Sequence, residues 1–330
     1  MKKTRVAING FGRIGRAFYK LAVERKELEV VAVNDLGNRE NMEYLLKYDS
    51  VYGQSDVTLK GVEFLSEKDP TLLPWKKFDI DVVVESTGLF VDYTKAKVHL
   101  DAGAKRVVIT APAKGGIEGK DGVTVLMGLN EERLKTCPIT SNASCTTNAG
   151  SPLMAILDEA IGIEKAVLNT VHAYTASQGI VDGPAKKDLR EGRAAAQNIV
   201  PSSTGAAIAV TKALPQLEGK FDGISIRVPV VVGSIVDITF IAKRDTTREE
   251  VNNILKKSAA DKKWEKIFAV TNEPLVSSDI KGNTHASIAD LEMTRVVGGN
   301  LVKVLGWYDN EMGYTHTLVD HVIEAGKFAK

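Results

Sequence analysis

Cysteine is scarce in this chain of 330 residues, which contains only Cys137 and Cys145. Two thiols without a CxxC spacing cannot form a disulfide framework. Long apolar runs are also missing, because none approaches the roughly 18 residues that span a bilayer. The basic start MKKTRVAING has no apolar signal core behind it. We therefore expect a reduced, cytoplasmic protein without a membrane partner.

An excess of either charge is missing as well. The chain carries 43 basic and 42 acidic residues, a formal net charge of +1, and no block of five like charges. Such a balance gives no general attraction to nucleic acid, so we expect no nucleic-acid partner. The five histidines show no metal-ligand spacing, and no metal site is predicted. The length suits about two domains.

The first half of the chain alternates apolar strand patterns with helical patterns. The strand patterns cover residues 4–10, 28–35, 79–87 and 104–112, and the helical patterns cover 13–25, 40–48 and 92–102. Continuous apolar strands between helices are typical of a parallel sheet that is covered on both faces. This half is predicted to form an α/β domain.

The second half has the pattern of an α+β domain. Long β-rich runs cover residues 165–174, 223–243 and 294–310, and the last contains a hairpin signal at Gly298-Gly299. Residues 246–259 form an amphipathic helix pattern that begins with a capping pair. We expect a mixed or antiparallel sheet with segregated helices. A final helix over 315–328 could pack on either domain.

A glycine-rich turn follows the first predicted strand. The segment INGFGRIGR places Gly10, Gly12 and Gly15 in a G-x-G-x-x-G spacing, and Asp35 ends the next strand 20 residues beyond Gly15. The glycines let backbone N–H groups approach a pyrophosphate, and Asp35 would accept hydrogen bonds from the adenosine ribose. A carboxylate disfavours a 2′-phosphate, which predicts NAD rather than NADP. The alternative is an ordinary strand–turn–helix corner.

Cys145 lies in SNASCTTNAG, among hydroxyl and amide residues that favour helix starts. A thiol at a helix N-terminus meets free N–H groups and the positive dipole end, and we expect both to lower its pKa. The same N–H groups could hold an oxyanion after attack on a carbonyl. A buried, inert cysteine explains the local pattern equally well, so filler and nucleophile both stay open.

Three further features suit an anionic substrate. His172 ends a predicted strand in TVHAYTASQ and is the candidate base for the thiol, whereas the histidines of the helical patterns suit packing or surface roles better. Arg227 interrupts an apolar strand, so it has either a carboxylate partner or an anionic ligand. The segment PSSTGAA (201–207) is either a phosphate cradle or an ordinary helix cap.

Motifs along the whole chain resemble those of the phosphorylating glyceraldehyde-3-phosphate dehydrogenases. They stand in the family's order, and His172 follows Cys145 by 27 residues. These motifs are INGFGRIGR, YDSVYG, ESTGLF, ASCTTN, TVHAYT, AAAQNIVPSSTGAA and WYDNEMGY. The resemblance implies a Rossmann NAD-binding domain (1–144 and 311–330) on which the C-terminal helix packs. It also implies an α+β catalytic domain (145–310) and a homotetramer that acts in glycolysis.

The resemblance further implies a reaction and the residues that carry it. Cys145 would attack the aldehyde of glyceraldehyde 3-phosphate, and His172 would take the thiol proton. Hydride transfer to NAD would leave a thioester, which inorganic phosphate would convert to 1,3-bisphosphoglycerate. The implied cofactor contacts are Asn9, Gly10, Phe11, Gly12, Arg13, Ile14, Gly15, Asp35, Thr110, Asn310 and Tyr314. The implied phosphate-binding residues are Thr175 and Arg227 for the substrate, and Ser144, Thr146, Thr204 and Gly205 for inorganic phosphate.

Three positions depart from the family pattern. Ala149 stands where a second cysteine is frequent, Ile280 stands where phenylalanine is usual, and residues 227–237 lack the usual Thr-Pro-Asn. An erythrose-4-phosphate dehydrogenase, with the same thiol chemistry, is an alternative function. A non-catalytic NAD-binding regulator and a thiol hydrolase or acyltransferase are further alternatives; the fingerprint opposes the hydrolase.

Overall fold

The computed structural model describes residues 2–185 and 188–329. The chain divides into two compact units. The first contains the residues up to Ser144 together with those from Thr315 onward, and the second is Cys145–Tyr314. Within the described ranges, no helix has both the length and the hydropathy that crossing a membrane requires.

The first unit contains the predicted parallel sheet. Its strands are β1 (Thr4–Asn9), β2 (Leu28–Asn34), β3 (Tyr48–Asp49), β4 (Gly53–Gln54), β5 (Glu63–Leu65), β6 (Val82–Glu85), β7 (Arg106–Ile109), β8 (Val123–Thr124) and β9 (Ile139–Ser141). Apart from the β3–β4 hairpin, the described strands form one seven-stranded sheet in the order β5-β2-β1-β6-β7-β9-β8. Every pairing in it is parallel, and β6 and β7 are buried throughout. The α/β prediction is confirmed.

The helices agree with the predicted patterns except at their ends. They are α1 (Arg13–Ala22), α2 (Arg39–Lys47), α3 (Tyr93–Ala96), α4 (Val98–Asp101), α5 (Cys145–Ile161), α6 (Ala206–Ala213), α7 (Arg248–Ala259) and α8 (Met312–Gly326). The pattern over 92–102 is thus two short helices rather than one. Helix α8 begins before the predicted residue 315, because Asp309 Oδ1 accepts hydrogen bonds from the amides of Glu311 and Met312.

The second unit contains the predicted mixed sheet. Its strands are β10 (Ile163–Ala173), β11 (Val200–Ser203), β12 (Phe221–Val228), β13 (Ser234–Ala242), β14 (Phe268–Thr271), β15 (Ser287–Asp290), β16 (Arg295–Val297) and β17 (Leu301–Tyr308). The order among the described strands is β11-β12-β10-β13-β17-β15-β14, and β16 pairs with β17. Parallel and antiparallel pairings both occur. The apolar run 223–243 is therefore two strands, and the hairpin at Gly298-Gly299 is confirmed.

The two faces of the second sheet differ in burial. Residues of β13 alternate strictly between buried and partly exposed, as a half-covered sheet requires. Helix α5 contacts β10, β13, β15 and β17, and so covers the buried face. In the parallel pair of β10 and β12, His172 lies opposite Arg227 and Thr170 lies opposite Ser225. The register therefore brings both predicted functional side chains to one end of the sheet.

The C-terminal helix packs on the first unit, as the resemblance implied. His321 Nε2 lies 2.8 Å from Thr140 Oγ1, and His321 Nδ1 lies 3.0 Å from Asn142 Oδ1. An amide oxygen only accepts, so Nδ1 carries the proton of a neutral imidazole and Nε2 accepts from the threonine. Burial, with a smaller contribution from Arg106, lowers the pKa of His321 to about 3. The packing of α8 against Thr140 and Asn142 therefore requires a neutral His321.

Stability of the first unit should fall in mild acid because of His321. Its folded-state pKa of about 3 lies below the unfolded value of 6.5, so its contribution is complete above pH 6.5 and is lost as pH falls from there. His321→Gln should remove about 1.4 kcal/mol per pH unit from the slope of unfolding free energy over that range. Urea titrations at several pH values measure this slope. His316→Gln, at a partly exposed site on the same helix, is the control; equal slopes would contradict the assignment.

Candidate dinucleotide site and candidate catalytic site

The glycine turn of the first unit shows why glycine is needed at each position. Gly10 has a φ of +95°, and a Cβ there would lie 2.7 Å from the backbone of Ser86. A Cβ on Gly15 would lie 2.2 Å from the Gly10 carbonyl oxygen. Gly12 is different, because a Cβ there would meet nothing within 4 Å. The chain itself explains Gly10 and Gly15, whereas the space at Gly12 fits a ligand passing the start of α1.

Asp35 lies beside this turn, as the G-x-G-x-x-G spacing followed by an acidic strand end predicts. Its Oδ2 accepts a hydrogen bond of 2.7 Å from the Phe11 amide, and its Oδ1 accepts one of 2.8 Å from the Gly37 amide. Two backbone bonds thus fix the carboxylate at the end of β2. Arg13 and Ile14 occupy the first turn of α1. The donor and acceptor set fits the pyrophosphate and ribose of NAD.

Sequence reasoning missed Glu85, the residue that connects the strand ends in this region. Glu85 is 1% exposed at the end of β6. Its Oε2 accepts from Asn9 Nδ2 at 2.7 Å, and its Oε1 accepts from the amide and hydroxyl of Thr87. Its carbonyl accepts from the Thr110 hydroxyl at 3.1 Å. Glu85 therefore fixes two predicted cofactor contacts, Asn9 through its carboxylate and Thr110 through its backbone carbonyl.

The imidazole of His99 completes this network. Trp75 Nε1 lies 3.2 Å from His99 Nδ1, and His99 Nε2 lies 2.9 Å from Glu85 Oε2. An indole N–H only donates, so Nδ1 accepts and the proton of the neutral ring lies on Nε2, facing the carboxylate. His99 is 0% exposed, so of the two predicted roles, packing and surface, it has the packing role. The sequence does contain a signal for Glu85, the acidic residue of ESTGLF: a carboxylate at the end of an apolar strand is buried and needs hydrogen-bond donors.

In the second unit, Cys145 is the first residue of α5 and is partly exposed. Two residues earlier, Ala143 has a φ of +54°, which an alanine rarely adopts. The Ala143 amide donates to Ser141 Oγ at 3.0 Å, and Ser141 Oγ donates to the Ala111 carbonyl at 2.6 Å. Strained backbone of this kind is typical of functional sites. It turns the chain sharply into the helix that carries the thiol.

The thiol and the predicted base are in contact. Cys145 Sγ lies 3.3 Å from His172 Nε2, and His172 is 3% exposed. Burial, together with the Arg227 cation, lowers the pKa of His172 to about 3, so the imidazole is neutral at pH 7. Burial also raises the pKa of the Cys145 thiol, although Arg227 and the Thr146 donors lower it. The predicted lowering of the thiol pKa is therefore wrong, because loss of water outweighs the helix start.

Arg227 has no carboxylate within ion-pair distance among the described residues. Its Nη1 lies 2.6 Å from His172 Nδ1 and 3.3 Å from the Ala173 carbonyl oxygen. Of the two explanations for a strand arginine, the described contacts exclude a carboxylate partner. The Ala173 carbonyl oxygen also lies 2.6 Å from His172 Nδ1 and accepts its proton when Nε2 is free to act as a base. The guanidinium is then left with this carbonyl as its acceptor and retains donors for an anionic ligand.

The remaining predicted residues lie on three segments of the second unit. Thr146 is in the first turn of α5, and its hydroxyl lies 3.0 Å from the Tyr308 hydroxyl. Thr175 follows β10, and its hydroxyl lies 2.9 Å from Ser177 Oγ. Thr204 Oγ1 accepts from the Ala206 amide at 3.2 Å just before α6, whereas the N-cap residue itself is Gly205 and makes no side-chain cap. A Cβ on Gly205 would meet nothing within 4 Å, which leaves room for an anion as well.

Asn310 and Tyr314 lie at the C-terminal end of the second unit. Asn310 Oδ1 accepts from the Gly233 amide at 3.1 Å and from Ser234 Oγ at 3.0 Å. Its amide nitrogen is thereby oriented by the β12–β13 turn. Tyr314 is 3% exposed near the start of α8. Ser144 immediately precedes the thiol in the chain.

Comparison with known proteins assigns the family. Residues 4–93 match the family model of the NAD binding domain of glyceraldehyde 3-phosphate dehydrogenase, and residues 144–310 match its C-terminal domain. The chain belongs to the glyceraldehyde 3-phosphate dehydrogenase family. Glyceraldehyde-3-phosphate dehydrogenase 1 of Streptomyces avermitilis is 46% identical over 98% of both chains. The dehydrogenase of Borreliella burgdorferi is 46% identical over 96% of this chain and 98% of its own, and that of Geobacillus stearothermophilus is 45% identical over 96% of both.

The contact between the Cys145 thiol and the His172 imidazole can be tested by the rate at which Cys145 is alkylated. His172→Asn should slow alkylation of Cys145 by iodoacetamide about tenfold near pH 7, because the thiol loses its proton acceptor and the thiolate loses a hydrogen-bond donor. Mass spectrometry of the Cys145 peptide measures the rate, and the buried Cys137 serves as internal reference.

The control for this variant is His285→Asn, a partly buried histidine of the same unit. Its alkylation rate should equal that of the unaltered chain. An unchanged rate in His172→Asn as well would contradict a role of His172 as base.

Proposed function

We propose that the chain oxidises glyceraldehyde 3-phosphate with NAD and inorganic phosphate to 1,3-bisphosphoglycerate, a step of glycolysis. The observation that carries the proposal is the 3.3 Å contact between Cys145 Sγ and His172 Nε2, next to an arginine without a carboxylate partner among the described residues. This set has a nucleophile, a base and an anion receptor, which phosphorylated aldehydes require. The 46% identity to a named dehydrogenase supports the same reaction.

The first step forms a covalent adduct on Cys145. The sulfur attacks the aldehyde carbon, His172 Nε2 takes the thiol proton, and the protonated imidazole returns a proton to the oxygen of the thiohemiacetal. Amides at the start of α5 can stabilise the negative oxygen during the attack. A neutral imidazole is the correct state for this step, because an imidazolium could not accept the proton.

The second step removes two electrons from the adduct. The eleven cofactor contacts named from the resemblance would hold NAD, which would supply the hydride acceptor. His172 takes the hydroxyl proton as the carbonyl of the thioester forms. Phosphate then attacks that carbonyl, and the Cys145 thiolate leaves. We assign Arg227 and Thr175 to the substrate phosphate, and Ser144, Thr146, Thr204 and Gly205 to the attacking phosphate.

The two parts of the chain divide this work. We propose residues 1–144 and 311–330 as the NAD-binding domain and residues 145–310 as the catalytic domain. The glycine turn, Asp35 and the Glu85 network support the first assignment. The thiol, the imidazole and Arg227 support the second. The carboxylate of Asp35 favours NAD over NADP.

Loss of the thiol should separate binding from chemistry. Cys145→Ala should abolish NADH formation, to below about one part in ten thousand, because no other group on α5 can form the thioester. NAD affinity, measured by calorimetry, should stay within about twofold. Cys137→Ala is the control and should keep full activity. NADH formation above that level in Cys145→Ala would contradict the thioester mechanism.

Steady-state NADH formation is the direct test of the proposed function. Glyceraldehyde 3-phosphate should support turnover only with phosphate present, because the thioester otherwise accumulates on the enzyme. Erythrose 4-phosphate should give a lower kcat/KM; a higher value would assign the alternative dehydrogenase. NAD binding without turnover of either aldehyde would favour a regulator.

We also propose a cytoplasmic homotetramer. The two cysteines are free thiols, which suits a reducing compartment. The exposed face of the second sheet supports self-association: Val167, Ile224, Val297 and Leu301 are 61%, 54%, 62% and 40% exposed. Register places these residues on the face opposite to α5. Exposed apolar side chains among polar ones such as Asn169 and Thr239 on one sheet face are typical of subunit interfaces.

A charge on this face should disrupt assembly. Val167→Asp should convert the tetramer to smaller species in light scattering, because an aspartate would be buried without a partner at the interface. Val23→Asp, at a 47% exposed position of the first unit, should leave the mass unchanged. A tetramer that survives Val167→Asp would assign the interface to another surface.

A further inference from the structure

Three hydroxyl groups form a row beside the thiol in the second unit. The Tyr308 hydroxyl lies 3.0 Å from Thr146 Oγ1 and 2.8 Å from Thr170 Oγ1. Tyr308 is 1% exposed, and its ring meets the His172 imidazole edge-on, with 5.9 Å between the ring centroids. Each hydroxyl has one proton to donate, so the donors in the row must all point in one direction.

The far end of the row sets one of the two possible directions. Thr170 Oγ1 lies 3.3 Å from the Ile235 carbonyl oxygen, which only accepts. When Thr170 donates to this carbonyl, Tyr308 donates to Thr170, and Thr146 donates to Tyr308. All three protons then point away from Cys145, which suits a neutral thiol.

The near end of the row sets the other direction. Thr146 is the residue after Cys145 in the first turn of α5, and donation from its hydroxyl and amide to the sulfur lowers the pKa of the thiol. Thr146 has one hydroxyl proton, so it cannot donate to the sulfur and to Tyr308 together. When Thr146 donates to the sulfur, Tyr308 donates to Thr146, and Thr170 donates to Tyr308. The only bond lost is the 3.3 Å contact with Ile235.

We propose that Tyr308 is a positioning residue whose hydroxyl switches this row between the two directions when Cys145 becomes a thiolate. The three hydroxyls rotate and keep their own hydrogens, and the thiol proton goes to His172 Nε2. The switch gives the thiolate a donor, Thr146, that is itself supported by two further donors. This inference rests on the proposed role of Cys145 as nucleophile.

Tyr308 is suited to this role because it remains protonated. Burial, with the nearby Cys145, raises the pKa of the Tyr308 phenol, so its hydroxyl can donate throughout the working pH range. The other ionisable groups that face Cys145 among the described residues of this unit are His172 and Arg227. Neither forms a hydrogen bond with the Tyr308 hydroxyl.

The test is the pH profile of Cys145 alkylation by iodoacetamide, a neutral probe, without substrate or added NAD. Tyr308→Phe keeps the ring against His172 and removes the hydroxyl. Its profile should shift upward by about one pH unit, which is about tenfold slower alkylation below the midpoint. Tyr93→Phe, which removes a buried hydroxyl 3.0 Å from Thr124 Oγ1 in the first unit, should give the unaltered profile.

A double-mutant cycle distinguishes the switch from a purely structural effect. Thr146→Val disconnects Tyr308 from the sulfur, so adding Tyr308→Phe to it should shift the profile no further. Additive shifts, or an unshifted Tyr308→Phe profile, would overturn the proposal. Thr170→Val should shift the midpoint of the alkylation profile in the same direction by a smaller amount. If Tyr308→Phe does not fold, an unshifted profile in Thr170→Val would overturn the proposal. Failure here would leave the dehydrogenase proposal standing, since NADH formation is measured separately.

Discussion

The pairing of β10 with β12 is the constraint on which the catalytic geometry depends. The strands run parallel and in register from Ala166 opposite Phe221 to Ala173 opposite Val228. A slip of one residue would move every side chain to the other face of the sheet. His172 would then leave the face that α5 covers and lose the sulfur. Because β10 pairs with β12 on one side and β13 on the other, the register is fixed twice.

The same arrangement determines the charge state of the site. Burial favours the neutral form of each partner, raising the pKa of the thiol and lowering that of the imidazole. Arg227 acts in one direction on both, since a cation favours the thiolate and opposes the imidazolium. The unliganded pair is therefore a neutral thiol beside a neutral base. Proton transfer from the thiol to the imidazole therefore needs further stabilisation. An anion bound to the Arg227 guanidinium, or hydrogen-bond donors to the Cys145 sulfur, would supply it.

Much of the site could be predicted from sequence because its chemistry is local. The glycine spacing, the thiol among helix-start residues and the arginine inside an apolar strand are each visible in a few letters. Glu85 and Tyr308 were missed because their roles depend on partners far along the chain, such as Asn9 and Thr146. The direction of the thiol pKa was wrong for a related reason, since burial by distant strands leaves no trace in SNASCTTNAG.

The structure agrees with the predicted helices and strands where the apolar periodicity extends over many residues, and it differs from them at the ends of these elements. The terminal helix began early because Asp309 caps it, and 92–102 became two helices. The turn before α5 is the most instructive difference. An alanine at φ +54° costs about 1 kcal/mol or more, and no sequence rule places it there. Buried bonds from Ser141 hold it in that conformation. The strain is thus offset away from the thiol, which lets α5 begin at Cys145 with its amides still directed at the sulfur.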